Sequence, residues 1–332
     1  MNYFRFLFGV IFISFLVFIL YIKSYSPVFD IEKSIKTNIP RVTIYKYINN
    51  YHNWIEWNPW FQENPDLKIN YKENSPEYPT LEWENKNGKG VITTTSSNFD
   101  NKIVQEIKIE EIKSMQIVWN INENTNKLNL RIKGEMTFLT KILSLFSGGI
   151  ENLIGPYSSK ALKNIDHILQ SKLNEHRFKY LGEVLLPKEF YLSMSYESTE
   201  KEQYSLLKLG SQQLLEYAQN QNIEITGNIF TVNPLSDSDV KVWLLGLPIS
   251  KYHNSQDSLI KCNSKNKRKA LKGIHYGVYE NLDLSWNLLY QEIELFNPKI
   301  RFFPVRVNKV GLETTENPLE WKTELFLPYK LE

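Results

Sequence analysis

Five histidines, His52, His167, His176, His253 and His275, are the only imidazoles in the chain, and no two of them stand at metal-ligand spacing. Cys262 is the single cysteine. An intrachain disulfide and a zinc site built on clustered thiolates are therefore excluded, and no metal is expected. The remaining chemical groups gather toward the C-terminal end. His275 adjoins Tyr276, and Glu313 and Glu324 follow. A hydrolase built here would use one of these carboxylates as base, with Tyr276 or His275 assisting. The plainer readings are a structural hydrogen bond for His275 and an outward-facing charge for Glu324. The sequence holds no Gly-rich phosphate loop, nucleophile elbow or carboxylate dyad. No catalytic residue and no cofactor are assigned.

Aromatic residues give a denser signal. They make up 14% of the 332 residues, with 8 Trp, 19 Tyr and 18 Phe, enough large apolar surface for two cores. Trp54, Trp57 and Trp60 fall within seven residues, beside Pro59. Trp57 and Trp60 suit either the packing of short helices or the wall of a ligand pocket. Trp83 and Trp119 in the same half, and Tyr196, Trp243, Tyr276 and Trp286 in the other, are the further aromatic candidates for pocket walls. Charged residues are 23% of the chain and the net charge is +2. That balance argues against long disordered stretches and against a dedicated nucleic-acid binder. The one basic run, Lys261 to Lys269, is expected to be a solvated polar loop that carries Cys262 as an incidental thiol.

The elements that position these residues begin with Phe6 to Ile22, an uncharged apolar run within a segment taken as residues 4–23. Seventeen residues reach about 25 Å as a helix, the short end of a membrane span. Tyr3, Phe4, Tyr21 and Tyr25 can sit at the interfaces, with Arg5 and Lys23 snorkelling outward. Ser24-Tyr25-Ser26 makes a poor signal-peptidase site. An uncleaved, single-pass anchor is expected, and its flanking charges give no orientation.

Residues 27–174 form the first expected domain. Phe29, Ile31, Lys33 and Ile35 alternate as a strand. Asn38 is read as a helix N-cap with Pro40 in the first turn. From Leu67 to Ile132 the alternation repeats through short polar turns, with Asn87-Gly88 as one hairpin, so an antiparallel meander is expected. Gly148-Gly149 and Gly155-Pro156 are expected to interrupt the helical region that follows. Ala161, Leu162, Ile165, Leu169 and Leu173 then form one apolar helical stripe. Packing that helix across a curved sheet leaves an apolar pocket between them.

Residues 183–330 form the second. Tyr196 and Tyr276 are 80 positions apart, as are Pro248 and Pro328. Thr199 and Glu202 fit a capping box. Two strand–helix–strand–strand units with pseudo-twofold symmetry are expected, with a pocket in the crease between them. The chain as a whole is read as α+β.

The Asn38-Ile39-Pro40 start, the Trp54/Trp57/Pro59/Trp60 cluster and the Gly155-Pro156 helix resemble the START-like, or polyketide cyclase/dehydrase-like (SRPBCC), superfamily. That resemblance implies a helix-grip fold with a hydrophobic cavity. His275-Tyr276-Gly277-Val278-Tyr279 and Thr323-Glu324-Leu325-Phe326-Leu327-Pro328 resemble the GyrI-like effector-binding domain, also found in bacterial multidrug-sensing transcription activators. That family commonly carries a Glu followed by Tyr on the strand before the last, which attracts cationic ligands. Here the strand reads Val305-Arg306-Val307-Asn308-Lys309-Val310-Gly311, with Asn308 as candidate occupant and Glu313 as the nearest acid. The departure counts against cation selectivity and against a hydrolase using that Glu. No helix-turn-helix accompanies the domain. The leading expectation is a membrane-anchored binder of a small apolar or amphipathic ligand. A hydrolase and a protein-interaction scaffold are the alternatives.

Overall fold

Alternating apolar and polar residues between positions 28 and 135 produce seven strands in one antiparallel sheet. The structure is a computed structural model. It describes residues 2–330, apart from 73–77, 87, 99–100, 110–111, 123–124, 200–201, 233–239, 297, 299 and 312–313. The chain divides into two compact units, 1–171 and 172–332.

The first unit opens with α1 (Asn2–Ser24), which exposes its apolar side chains from Tyr3 to Tyr21 with few exceptions. By length and composition it can cross a membrane, and a signal sequence meets the same description. Then come β1 (Val28–Lys36) and the short helices α2 (Arg41–Asn49), α3 (Trp54–Trp57) and α4 (Pro59–Glu63). The meander follows as β2 (Lys68–Lys72), β3 (Thr80–Asn85), β4 (Gly88–Asn98), β5 (Lys102–Ile109), β6 (Ile112–Asn122) and β7 (Lys127–Glu135). Each strand pairs with the next, and β1 closes the order beside β7. Gly88 opens β4 with φ +130, a conformation that favours glycine; Asn87 lies outside the described residues.

Two helices complete the unit, α5 (Phe138–Phe146) and α6 (Ile150–Asn174). The stripe Ala161, Leu162, Ile165 and Leu169 is buried. Two local expectations are corrected. Helix α6 runs unbroken through Gly155-Pro156: burying its stripe outweighs the one backbone hydrogen bond a proline removes. The N-cap of α2 is Pro40, without a side-chain cap, and Asn38 stands before the helix.

The second unit holds β8 (Arg177–Leu186), β9 (Glu189–Ser198), α7 (Gln203–Asn220), β10 (Phe230–Val232), β11 (Lys241–Ile249), β12 (Lys261–Lys265), β13 (Arg268–Tyr276), α8 (Leu282–Phe296), β14 (Ile300–Arg301), β15 (Val305–Val310) and β16 (Lys322–Lys330). The sheet order is β12-β9-β11-β10-β15-β16-β13-β8, with β14 on β16. Its halves, β9-α7-β10-β11 and β13-α8-β15-β16, meet at the antiparallel pair β10–β15. Helix α7 packs on Leu192, Leu245 and Leu247, and α8 on Leu271, Leu325 and Leu327. Thr199 and Glu202 exchange hydrogen bonds before α7.

The register refines the repeat. Pro248 pairs with Tyr191 and Pro328 with Ala270. Five positions along each strand, Trp243 pairs with Tyr196 and Thr323 with His275. The sheet therefore equates Tyr196 with His275, and the 80-residue spacing of Tyr196 and Tyr276 is one residue out of phase. A one-residue slip moves a side chain to the other face. Tyr196 joins the cluster under α7, while Tyr276 takes the opposite face, with the Arg177 guanidinium 5.9 Å from its ring. The basic run is also not a loop. Residues 261–265 form an edge strand on β9, and Cys262 opposite Leu192 packs into the α7 cluster. Lys261, Asn263 and Ser264 are exposed on this edge, while Cys262 and Lys265 are half-buried, Lys265 pairing with Glu189 at 2.6 Å.

Candidate functional site

The aromatic cluster of the first unit is built by capping. The Asn58 side chain accepts a hydrogen bond from the Trp60 N–H, and Pro59 takes the first turn of α4, an arrangement that needs no donor from the proline. Trp54 donates its indole N–H to the Ile48 carbonyl at 2.9 Å. Its ring lies 4.7 Å from that of Trp57, and Trp57 meets Trp119 edge-on at 5.6 Å. The Trp119 N–H donates to the Gln105 side-chain oxygen at 2.8 Å. Asn164 of α6 donates to the Trp57 carbonyl at 2.9 Å and ties the long helix to α3.

Between these residues, the sheet and the first half of α6 lies a cavity of about 250 Å³. Trp57, Trp60 and Trp119 line it, with Ile117 and Leu130 from the sheet and Leu153, Ile154 and Tyr157 from α6. No charged side chain lines it among the described residues. The Trp57 indole N–H is buried and has no partner among the described residues. Trp83 is not in the wall. It packs against Trp60 at 5.5 Å and Phe61 at 6.1 Å, lying flat over Gly90, where a Cβ would come within 2.1 Å of the ring.

In the second unit, Tyr196 and Trp243 face each other across β9 and β11. Arg306 on β15 is 3% exposed. Its guanidinium stands 5.5 Å from the Trp243 ring and 5.9 Å from Tyr279, and Tyr279 stacks on Trp321 at 4.5 Å. Burial pushes the Tyr196 hydroxyl up to about 12, with the Arg306 charge pulling the other way. The helix side of this sheet thus holds the chain's own cation among aromatic rings. Trp286 is buried in the α8 core. Its indole N–H, like that of Trp243 and the Tyr196 hydroxyl, has no partner among the described residues.

His275 is fully buried. Its Nε2 is 2.9 Å from the Val278 carbonyl and its Nδ1 is 2.8 Å from Ser285 Oγ. A carbonyl only accepts, so Nε2 carries the proton and Nδ1 accepts from the serine. His176 Nε2 lies 2.8 Å from the same Oγ and donates to it. This network is complete with His275 neutral, and burial holds its imidazole below the ordinary 6.5. Stability from this site is therefore full above about pH 6.5 and is lost as pH falls toward the depressed folded value. The unfolded chain takes up a proton that the folded site refuses, at up to ~1.4 kcal/mol per pH unit. The melting temperature of the full chain should fall below pH 6.5. His275→Gln, which keeps a donor for Val278, should flatten that limb; an unchanged profile would remove His275 as its cause.

Glu324 pairs with Lys272 at 2.6 Å and Lys309 at 3.8 Å. It occupies the sheet face opposite His275, since Glu324 pairs with Ile274 and Thr323 with His275. The geometry therefore does not bring Glu324 and His275 together as acid and base. Thr323 donates to the Asn308 side-chain oxygen at 3.4 Å. Glu313 lies outside the described residues. No group of three or more His, Cys, Asp or Glu that could hold a metal occurs among the described residues.

The expected site residues thus separate. Trp57, Trp60 and Trp119 share the first cavity, and Tyr196 and Trp243 share the crease. Trp83, Trp286, His275, Tyr276, Asn308 and Glu324 have other surroundings. Arg306 and Tyr279 were missed as crease residues. The flanking Val305 and Val307 lie on the other sheet face from Arg306, so they gave no signal of its burial.

No protein-family model and no curated protein matches this chain. Among solved structures, the EcmrR C-terminal domain is similar at 16% identity, over 47% of this chain and 99% of that one, with a TM-score of 0.39. EcmrR in a DNA complex matches at 16% identity, over 64% of this chain and 89% of that one, with a TM-score of 0.40. The Zhui aromatase/cyclase from Streptomyces sp. R1128 matches at 9% identity, over 44% and 96%, with a TM-score of 0.34. At these scores and identities, no ligand or activity passes from them to this chain.

Proposed function

We propose that this chain is a membrane-tethered binder of a small apolar or amphipathic molecule, held in the cavity of the first unit. In this reading α1 is an uncleaved anchor, residues 27–174 are a START-like domain and residues 183–330 a GyrI-like effector-binding domain. The observation that carries it is the cavity: aromatic and aliphatic walls, no charged lining residue among the described ones, and α6 forming one wall. Its volume of about 250 Å³ falls just below the roughly 300–1,000 Å³ of drug-sized sites. A single ring system or a short acyl chain fits it better than a two-chain lipid. The second unit is assigned no ligand, because its crease already contains Arg306.

The test uses the full chain in lipid nanodiscs. A brominated short-chain alcohol should quench tryptophan fluorescence saturably. Ala161→Phe, which adds a ring to the cavity wall, should weaken that binding at least tenfold. Overpacking costs about 1–3 kcal/mol, so the variant is expected to stay folded, which circular dichroism checks. Absence of saturable quenching in the unmodified chain would overturn the binder, and unchanged affinity in Ala161→Phe would remove this cavity as the site.

A further inference from the structure

Helix α5 is built inside out. Its nine residues read Phe-Leu-Thr-Lys-Ile-Leu-Ser-Leu-Phe, and its buried members are Lys141 and Ser144. Phe138, Leu139, Leu143 and Phe146 are exposed, Leu139 at 64% and Phe146 at 78%. A surface helix facing water shows the reverse pattern. Isolated exposed apolar residues are ordinary, but four on one short helix form a patch that calls for a partner.

Lys141 indicates which partner. Its ammonium donates to the Ile22 carbonyl at 3.4 Å and to the Tyr25 carbonyl, at the C-terminal end of α1. The last carbonyls of a helix have no partner within it, and a cation there is favoured by the helix dipole. The buried lysine thus latches α5 to the place where α1 ends. Helix α1 has 23 residues, about 35 Å of helix against a bilayer core of ~30 Å. In a membrane its last turn therefore stands at the lipid–water interface, and the latch holds α5 at that depth.

We propose that α5 is an interfacial membrane helix, lying among the lipid headgroups with Phe138, Leu139, Leu143 and Phe146 in the acyl chains. The proposal rests on the reading of α1 as a membrane span. It adds a consequence for the cavity. Helix α6 starts at Ile150, shortly after α5 ends, and its Leu153, Ile154 and Tyr157 line the cavity. Ile154, Met115 and Ile132 belong both to that lining and to the cluster that includes Tyr25, just beyond α1. The cavity wall thus adjoins the membrane face, and its ligand is a molecule taken from or returned to the bilayer.

The experiment places single cysteines in the full chain after Cys262→Ser, at Leu139, Phe146, Phe12 and Leu209, and labels each with an environment-sensitive fluorophore. The protein is reconstituted into phosphatidylcholine/phosphatidylglycerol vesicles with spin-labelled lipid as one quencher and aqueous iodide as the other. Leu209, 52% exposed on α7, is the aqueous control. The labels at Leu139 and Phe146 should be quenched at least threefold more by lipid than the Leu209 label and be protected from iodide. Iodide quenching at both, with the Phe12 label still quenched by lipid, would overturn the α5 proposal and leave the anchor standing. A Phe12 label that lipid does not quench would remove the anchor, and with it the basis for α5. Protection of the α5 labels from both quenchers would show that protein covers this face and would overturn the proposal.

Discussion

Trp54→Ala is expected to destabilise the first unit by about 4 kcal/mol, within the 3–5 kcal/mol that buried Trp or Phe truncations cost. The indole is 1% exposed and lies against three rings, with centroids 5.1 Å from Tyr51, 4.7 Å from Trp57 and 6.1 Å from Phe61. Truncation also leaves the Ile48 carbonyl without its indole donor, a loss of about 1–3 kcal/mol when the acceptor stays buried. The site cannot relax by collapse, because Trp54 borders the cavity and its removal enlarges an existing void. Denaturant titration of the full chain, followed by circular dichroism, measures the effect. Trp54→Phe should recover about half of it. A Trp54→Ala change below 1 kcal/mol would show that the cluster is not part of the packed core.

The second large effect concerns Arg306. Arg306→Ala is expected to cost the second unit about 3 kcal/mol, because desolvated cation–π contacts reach about 2 kcal/mol each and this guanidinium stands over both Trp243 and Tyr279. The hole left behind has the shape and electronic character of a guanidinium site. Methylguanidinium at roughly ten times its dissociation constant should therefore restore about 1.4 kcal/mol by mass action. Urea at the same concentration should not, and neither compound should stabilise the unmodified chain. Thermal melts of the two proteins with each additive decide the matter. Equal responses from variant and parent would mean that the rings do not form a cation box.

The legible parts of this fold were those set by neighbours in sequence. The meander from Lys68 to Glu135 pairs each strand with the next, so local alternation and short turns were enough to specify it. The stripe on α6 was visible because helical spacing repeats over many residues. Features set by distant packing were not legible in this way. Pro156 reads as a break until the burial of Leu162 and Ile165 is weighed against one lost hydrogen bond. The run from Lys261 to Lys269 reads as a loop until β9 supplies an edge to pair with. Of the cavity lining, the sequence pointed to Trp57, Trp60 and Trp119, but not to Leu153 and Ile154, whose place there depends on where α6 crosses the sheet. Arg306 was hidden because nothing local distinguishes a buried arginine from an outward one on a strand.

The junction of β10 and β15 has a consequence for how such a molecule can be assembled. Thr231 pairs directly with Arg306, both are buried at 2% and 3%, and the pseudo-twofold axis passes between them. In a homodimer of half-length chains, each position on the axis would meet a copy of itself. An arginine there would face a second arginine across directly opposed strand positions, about 4.5–5.5 Å apart at Cα, and like charges so placed repel. Joining the halves in one polypeptide lifts that constraint. One side of the axis can hold a guanidinium and the other a hydroxyl, so covalent linkage permits a single central charge that exact symmetry would forbid.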